Sequence, residues 1–104
     1  MEKVILFNYQ VEARQEITEF LENKGYSTLF AEDINSLISL MNKNQCKKSF
    51  IYVKSLTDIR QLQTIRSLYI SLEINLIIPP HLKEIIKLLK NNSYNILDDD
   101  LTNL

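Results

Sequence analysis

Short apolar runs alternate with longer segments of helical period along the whole chain. This alternation is typical of a parallel sheet whose faces are covered by helices. The runs are continuous rather than alternating in polarity, as expected of strands that are buried on both faces. The predicted strands are Val4–Phe7, Tyr26–Ala31, Phe50–Val53, Ile74–Ile78 and Tyr94–Leu97.

The segments between these strands carry apolar residues at the spacing of one helix face. Gly25 suits the position just beyond the end of the first helix, Asp33 is predicted to cap the second, and Ser55 or Thr57 the third. The polar stretch 42–48 is predicted as a loop. The predicted apolar stripes are Ala13, Ile17, Phe20 and Leu21; Ile34, Leu37, Ile38 and Met41; Ile59, Leu62, Ile65, Tyr69 and Leu72; and Leu82, Ile85, Ile86 and Leu89.

This order of elements predicts a three-layer, doubly wound α/β fold. Parallel strands joined by right-handed crossovers leave few topologies, and for five strands the flavodoxin-like order 2-1-3-4-5 is the expected one. The chain has 104 residues, which is the size of one domain. We therefore expect a single domain over residues 1–104, with a last helix that is short or missing after residue 97.

Composition narrows the class of partner. Hydrophobic residues make up 45% and charged residues 24% of the chain, and the net charge is −1. The lysines are scattered rather than gathered in a basic stripe, so we expect no direct contact with nucleic acid. The apolar run after Glu2 and Lys3 is too short to cross a membrane. Cys46 is the only cysteine, so no internal disulfide can form, which fits the cytoplasm.

Several kinds of chemistry are excluded or disfavoured. Gly25 is the only glycine, which rules out a P-loop or a dinucleotide-binding turn. Residues 8–11 place bulky side chains where a flavin phosphate would lie, so no cofactor is expected. His81 could act as an acid or base, but a half-exposed capping residue is the favoured interpretation because no partner group is evident. The run 98–100 could hold a hard metal, but acidic residues also favour a helix N-terminus, and we expect no metal site.

The segment 13–41 resembles the first helix, second strand and second helix of bacterial response-regulator receiver domains. Receivers often have a helix that ends in Gly-Tyr, here Gly25 and Tyr26, and then a strand closing on Ala-x-Asp, here Ala31 to Asp33. The third strand and the stretch 93–104 also align. The resemblance spans nearly the whole chain and implies the receiver fold.

The residues that give a receiver its activity are replaced here. The resemblance puts Asn8 and Tyr9 at the acidic pair that binds Mg²⁺, and Lys54 at the phosphorylated aspartate. The Ser or Thr after the fourth strand falls at Pro79 or its neighbour, and the fifth-strand lysine falls at Asp99. Phosphoryl transfer of the receiver kind needs that carboxylate nucleophile and those oxygen ligands. The chain therefore resembles a degenerate receiver, or pseudo-receiver.

The third-strand and fifth-strand charges of a receiver are exchanged in this chain. We hypothesise a reversed ion pair between Lys54 and Asp99 that holds the site in one state without phosphate. An exposed pair of this kind contributes only about 0.2–1 kcal/mol. The alternative is that both side chains are solvated separately at two loop ends.

The resemblance implies a non-catalytic regulatory domain that acts by protein–protein contact. It is either a stand-alone adaptor or the N-terminal domain of a longer signalling protein, and a homodimer is one possible assembly. The face that receivers use for partners corresponds here to Leu82, Ile86, Lys90, Tyr94 and Ile96. The alternative is a flavodoxin-like ligand-binding protein or a phosphocarrier subunit, which requires a pocket lined by Asn8, Tyr9, Lys54, Ser55, Pro79 and His81.

Overall fold

Strands and helices alternate along the chain in the computed structural model, which describes residues 2–82, 84 and 94–97. The strands form one parallel sheet in the order β2-β1-β3-β4-β5, so the prediction of an α/β flavodoxin-like arrangement is confirmed. The elements are β1 Glu2–Phe7, α1 Val11–Asn23, β2 Tyr26–Ala31, α2 Ile34–Lys43, β3 Lys48–Tyr52, α3 Thr57–Leu68, β4 Glu73–Ile77 and β5 Tyr94–Leu97.

Each face of the sheet builds its own apolar core, because successive side chains of a strand point to opposite faces. One core lies under α1 and includes Val4, Leu6 and Phe50. The other lies under α2 and α3 and includes Ile5 and Phe7. Central strands that are apolar at every position therefore serve both layers, as the continuous runs predict. The helices contribute Ile17 and Leu21 to the first core, and Leu37, Leu62 and Ile65 to the second.

Two predicted helix ends are confirmed. Gly25 follows α1 with φ of 92°, a left-handed conformation that side chains resist, and its amide donates to the Glu22 carbonyl at 3.0 Å. Asp33 caps α2 by accepting a hydrogen bond from the Ser36 amide at 2.7 Å. This bond from the Ser36 backbone holds the pKa of Asp33 below its ordinary value.

Other boundaries differ from the prediction. The predicted loop 42–48 is wrong at both ends, because α2 continues to Lys43 and β3 begins at Lys48. Helix α3 ends at Leu68, so Leu72 lies in the following loop, although it is buried as its apolar character requires. The predicted fourth helix runs from Leu82 to Lys90, and of these residues only Leu82 and Glu84 are described. The rest of it, and the predicted last helix after residue 97, lie outside the described residues.

A chain of polar side chains crosses the sheet near the amino ends of its strands, on the α1 side. Lys48 of β3 reaches over β1 and donates to the Tyr26 hydroxyl of β2 at 2.7 Å. The same ammonium lies 3.7 Å from the Glu73 carboxylate of β4. The hydrogen bond with Tyr26 is the main reason that the pKa of Lys48 is raised.

The chain of polar contacts continues through a buried amide. Asn75 is 4% exposed, and its Nδ2 donates to the Ser49 carbonyl and to the Glu73 carboxylate, both at 3.0 Å. Its Oδ1 accepts from Asn95 Nδ2 of β5 at 3.2 Å. Because every polar atom of a buried amide needs a partner, these bonds favour this register of β3, β4 and β5 over a shifted one.

Candidate functional site at the carboxyl edge of the sheet

The carboxyl edge of the sheet is where open α/β folds place their binding and catalytic groups. Asn8 follows β1 there with φ of 72°, a left-handed conformation that asparagine tolerates better than most residues. Its amide donates to the Ala31 carbonyl of β2 at 3.3 Å, and its side-chain Nδ2 donates to the Tyr52 carbonyl of β3 at 2.9 Å. Asn8 thus joins the ends of three neighbouring strands.

Asp58 in the first turn of α3 completes this connection. Its Oδ2 accepts three hydrogen bonds: from Asn8 Nδ2 at 3.0 Å, from the Lys54 amide at 2.7 Å and from the Ser55 amide at 3.2 Å. We call Asn8, Asp58 and the amides of Lys54 and Ser55 the edge clasp. The clasp links the loop after β1 to the loop after β3, and it uses internally two backbone amides that could otherwise face an anion.

Asp58 is not among the site residues predicted from the sequence, although a local signal for it is present. Residues 55–58 read Ser-Leu-Thr-Asp, which matches a capping box, in which an acidic residue three positions after Ser accepts from the Ser backbone amide. The prediction that a hydroxyl of Ser55 or Thr57 caps α3 is wrong. The Ser55 and Thr57 hydroxyls lie 3.1 Å apart and bond to each other, while the Asp58 carboxylate accepts the amides.

Tyr9 and Pro79 are buried rather than open to a pocket. Tyr9 is 8% exposed and packs edge-on against Tyr52, with ring centroids 5.6 Å apart, in the core under α1. Pro79 is buried, and its carbonyl accepts from the Leu82 amide at 2.9 Å. The predicted site residues are therefore divided, because Asn8 belongs to the clasp whereas Tyr9 and Pro79 belong to the packed interior.

Lys54 and His81 are exposed at the same edge of the sheet. No carboxylate among residues 2–82, 84 and 94–97 lies within ion-pair distance of the Lys54 ammonium. Asp99, the hypothesised partner of Lys54, lies outside the described residues, and the reversed ion pair stays a prediction.

The predicted partner face is only partly described. Leu82, Tyr94 and Ile96 are half-buried and pack against the core under α2 and α3, while Ile86 and Lys90 lie outside the described residues. The guanidinium of Arg66 lies over the Tyr94 ring at 5.6 Å from its centroid. Tyr94 and Ile96 thus contribute to the fold as well as to any surface they offer.

Metal and thiol chemistry gains no support from the described part of the chain. It holds no group of three His, Cys, Asp or Glu side chains arranged to bind a metal ion. Cys46 lies in the loop that joins α2 to β3 and is buried, and this burial raises the pKa of its thiol. Within the same residues, no helix has the length and apolar character needed to cross a bilayer.

Together, the fold and the edge geometry define an α/β domain of flavodoxin-like arrangement whose usual functional edge is joined by internal hydrogen bonds. Comparisons with protein-family models, with curated proteins and with solved structures give no significant match to this chain. A function therefore has to be argued from the chain's own residues.

Proposed function

We propose that this chain is a non-catalytic regulatory domain, built on a receiver-like fold, that works through contact with another protein. The observation that carries the proposal is the edge clasp. The Oδ2 atom of Asp58, a carboxylate at the edge where a receiver would be phosphorylated, already accepts three hydrogen bonds. An oxygen held by three donors is a poor candidate to attack phosphorus or to bind a cation.

The groups around Asp58 support the same proposal. A hard cation prefers several oxygen ligands. Asn8 directs its Nδ2, a donor, into the clasp, and the neighbouring Tyr9 is packed in the core. The amides of Lys54 and Ser55 donate to Asp58, so an incoming phosphoryl group would have to displace the carboxylate to reach them. Such hydrogen bonds can stabilise the conformation of a binding surface, but they leave few groups at this edge that could accept a phosphoryl group.

The alternative of a ligand-binding protein or phosphocarrier subunit has less support. It requires Tyr9 and Pro79 to line an open pocket together with Asn8 and Lys54, whereas Tyr9 and Pro79 are both buried. A protein partner is therefore the better candidate. The cytoplasm is the proposed compartment, because the lone Cys46 is a buried free thiol.

The test is exposure of the purified chain to acetyl phosphate with Mg²⁺, followed by intact-mass measurement. A receiver domain that is known to accept phosphate serves as the positive control in the same buffer. We expect the mass to stay unchanged and the melting temperature to stay constant across nucleotides, phosphate donors and Mg²⁺. A mass increase of one phosphoryl group that is lost in Asp58→Asn would overturn the proposal, as would a rise of several degrees with any of these ligands.

A further inference from the structure

Three hydrogen-bond donors from two loops converge on a single oxygen atom at the carboxyl edge of the sheet. The Lys54 amide, the Ser55 amide and Asn8 Nδ2 lie 2.7, 3.2 and 3.0 Å from Asp58 Oδ2. None of these donors is an amide of α3, since that helix begins at Thr57. We call the three donors the three-donor site. Backbone amides that converge in this way form concave sites for anions in many proteins.

Both loops are held to the sheet by bonds that do not involve Asp58. Asn8 Nδ2 also donates to the Tyr52 carbonyl at 2.9 Å. The Val53 amide, at the start of the loop after β3, donates to the Ile77 carbonyl of β4 at 3.0 Å. We therefore expect the three donors to stay close to their present positions when the Asp58 carboxylate is removed, which would leave a site that an external oxygen atom can enter.

The charges at this edge also favour an anion. The exposed Lys54 ammonium belongs to the same loop as two of the donors, and no carboxylate of residues 2–82, 84 and 94–97 lies within ion-pair distance of it. Asp58 is half-buried, and its three bonds supply partners that water would otherwise supply. A small oxyanion at the three-donor site would find the same three donors, with a cation in the same loop.

We propose that the Asp58 carboxylate is an internal ligand of an oxyanion site. The three-donor site has the donors to bind a small oxyanion such as a carboxylate, and Asp58 occupies it from within the chain. The contact is autoinhibitory, because a free oxyanion can reach the donors only after this carboxylate has been removed or displaced. A tethered group also competes at a millimolar or higher effective concentration. The inference rests on the proposed function and names the group that closes this edge to anions.

Removing the carboxylate and supplying an anion of the same size tests the inference. Asp58→Ala removes a group of the size of formate, and Asp58→Gly removes one carbon more, which is the size of acetate. Melting temperatures are compared at neutral pH in sodium formate, sodium acetate and sodium chloride at equal concentration. With a dissociation constant on the order of 50 mM, about 0.2 M formate should raise the melting temperature of Asp58→Ala by roughly 4–8 °C above its value in chloride. Acetate should stabilise Asp58→Gly more than Asp58→Ala.

Matched variants distinguish binding at this site from a general effect of salt. The parent chain and Gln61→Ala keep the Asp58 carboxylate, so their melting temperatures in formate and in chloride should agree to within about 1 °C. Asp58→Asn keeps a side chain of the same shape in the site, so formate should not stabilise it either. Adding Asn8→Ala to Asp58→Ala removes one of the three donors and should weaken formate binding several-fold.

The amide proton resonances of Lys54 and Ser55 locate the bound anion. Both should shift when Asp58→Ala removes their acceptor, and both should return toward their parental positions as formate is added, since a new acceptor restores the hydrogen bonds. If Asp58→Ala is unfolded in chloride, formate should restore the circular dichroism spectrum of the folded chain, so the result does not depend on a stable variant.

Equal melting temperatures of Asp58→Ala in formate and in chloride would overturn the inference. So would an equal rise in the parent chain, or a rise that leaves the Lys54 and Ser55 resonances unchanged. Any of these results overturns this inference alone when the parent chain takes up no phosphoryl group from acetyl phosphate. Phosphoryl uptake by the parent chain overturns the proposed function instead, whatever formate does to Asp58→Ala.

Discussion

Replacing Asp58 by alanine is the sharpest test of the edge clasp. The substitution removes three acceptor contacts, to Asn8 Nδ2 and to the amides of Lys54 and Ser55. Loss of a helix-capping acceptor typically costs about 0.5–2 kcal/mol, and the half-buried position of Asp58 leaves its former donors only partly accessible to water. We expect the free energy of unfolding to fall by about 1–2 kcal/mol. For a domain of this size, the melting temperature should fall by roughly 5–15 °C.

Urea titration followed by circular dichroism at neutral pH measures the loss. The transition midpoint should fall while the slope with denaturant stays constant, since the change removes contacts without altering the surface exposed on unfolding. Gln61→Ala is the matched control, because Gln61 is an exposed residue of the same helix. That variant should stay within about 0.5 kcal/mol of the parent.

A double-mutant cycle with Asn8→Ala separates the side-chain contact from the two backbone contacts. Since Asn8 and Asp58 share a hydrogen bond, the double variant should lose less stability than the sum of the two single variants, by about 0.5–1.5 kcal/mol. The clasp is refuted as a stabilising unit if Asp58→Ala behaves like Gln61→Ala. Additive losses in the cycle would refute the link between the two loops in particular.

Three further predictions concern buried or bridging polar groups. Asn75→Ala removes a buried amide and should lower the free energy of unfolding by about 1–3 kcal/mol. Asn75→Asp should lower it further, because it places a second carboxylate beside Glu73, and equal stability of the two variants in urea titrations would contradict this. The hydrogen bond with Tyr26 raises the pKa of Lys48, so this bond stabilises the fold fully below the unfolded lysine pKa of about 10.4 and less as the pH rises through the folded value. The difference in the free energy of unfolding between the parent and Lys48→Met should therefore narrow as the pH is raised through this range, and a constant difference in urea titrations would contradict this. Burial raises the pKa of the Cys46 thiol and limits its contact with reagents. This thiol should therefore react with a disulfide reagent at pH 8 far more slowly in the native protein than in denaturant. Equal rates would contradict the burial of Cys46.

The fold was predictable because its signals are local and repeated. Continuous apolar runs such as Val4–Phe7 mark strands that are buried on both faces, and Gly25 and Asp33 mark helix ends through their own backbone and side-chain chemistry. The ends of strands were less predictable where polar residues pair with a neighbouring strand. Lys48 and Ser49 look like loop residues, but they pair with β1 and β4 and find partners for their polar side chains across the sheet.

The candidate site was only half predictable. The resemblance locates Asn8, but the polarity of a residue does not reveal what it bonds. Its link to Asp58 joins positions 50 residues apart, and a contact of that range depends on how β1 and β3 are placed side by side. The capping-box pattern at 55–58 predicts only the local contact, between the Ser55 amide and the Asp58 carboxylate. The exposure of Leu56 and Ile70 was likewise not predictable, because the apolar character of a residue does not determine whether its side chain faces the core.

The edge clasp bears on how such a domain could be controlled. A receiver changes its surface when a phosphoryl group arrives, and here the amides of Lys54 and Ser55 that could sense one already bind Asp58. Under the proposed role as a regulatory domain, control would therefore come from contact with a protein partner, and not from a phosphoryl group bound at this edge. The mass of the chain after incubation with acetyl phosphate and Mg²⁺ distinguishes these two kinds of control.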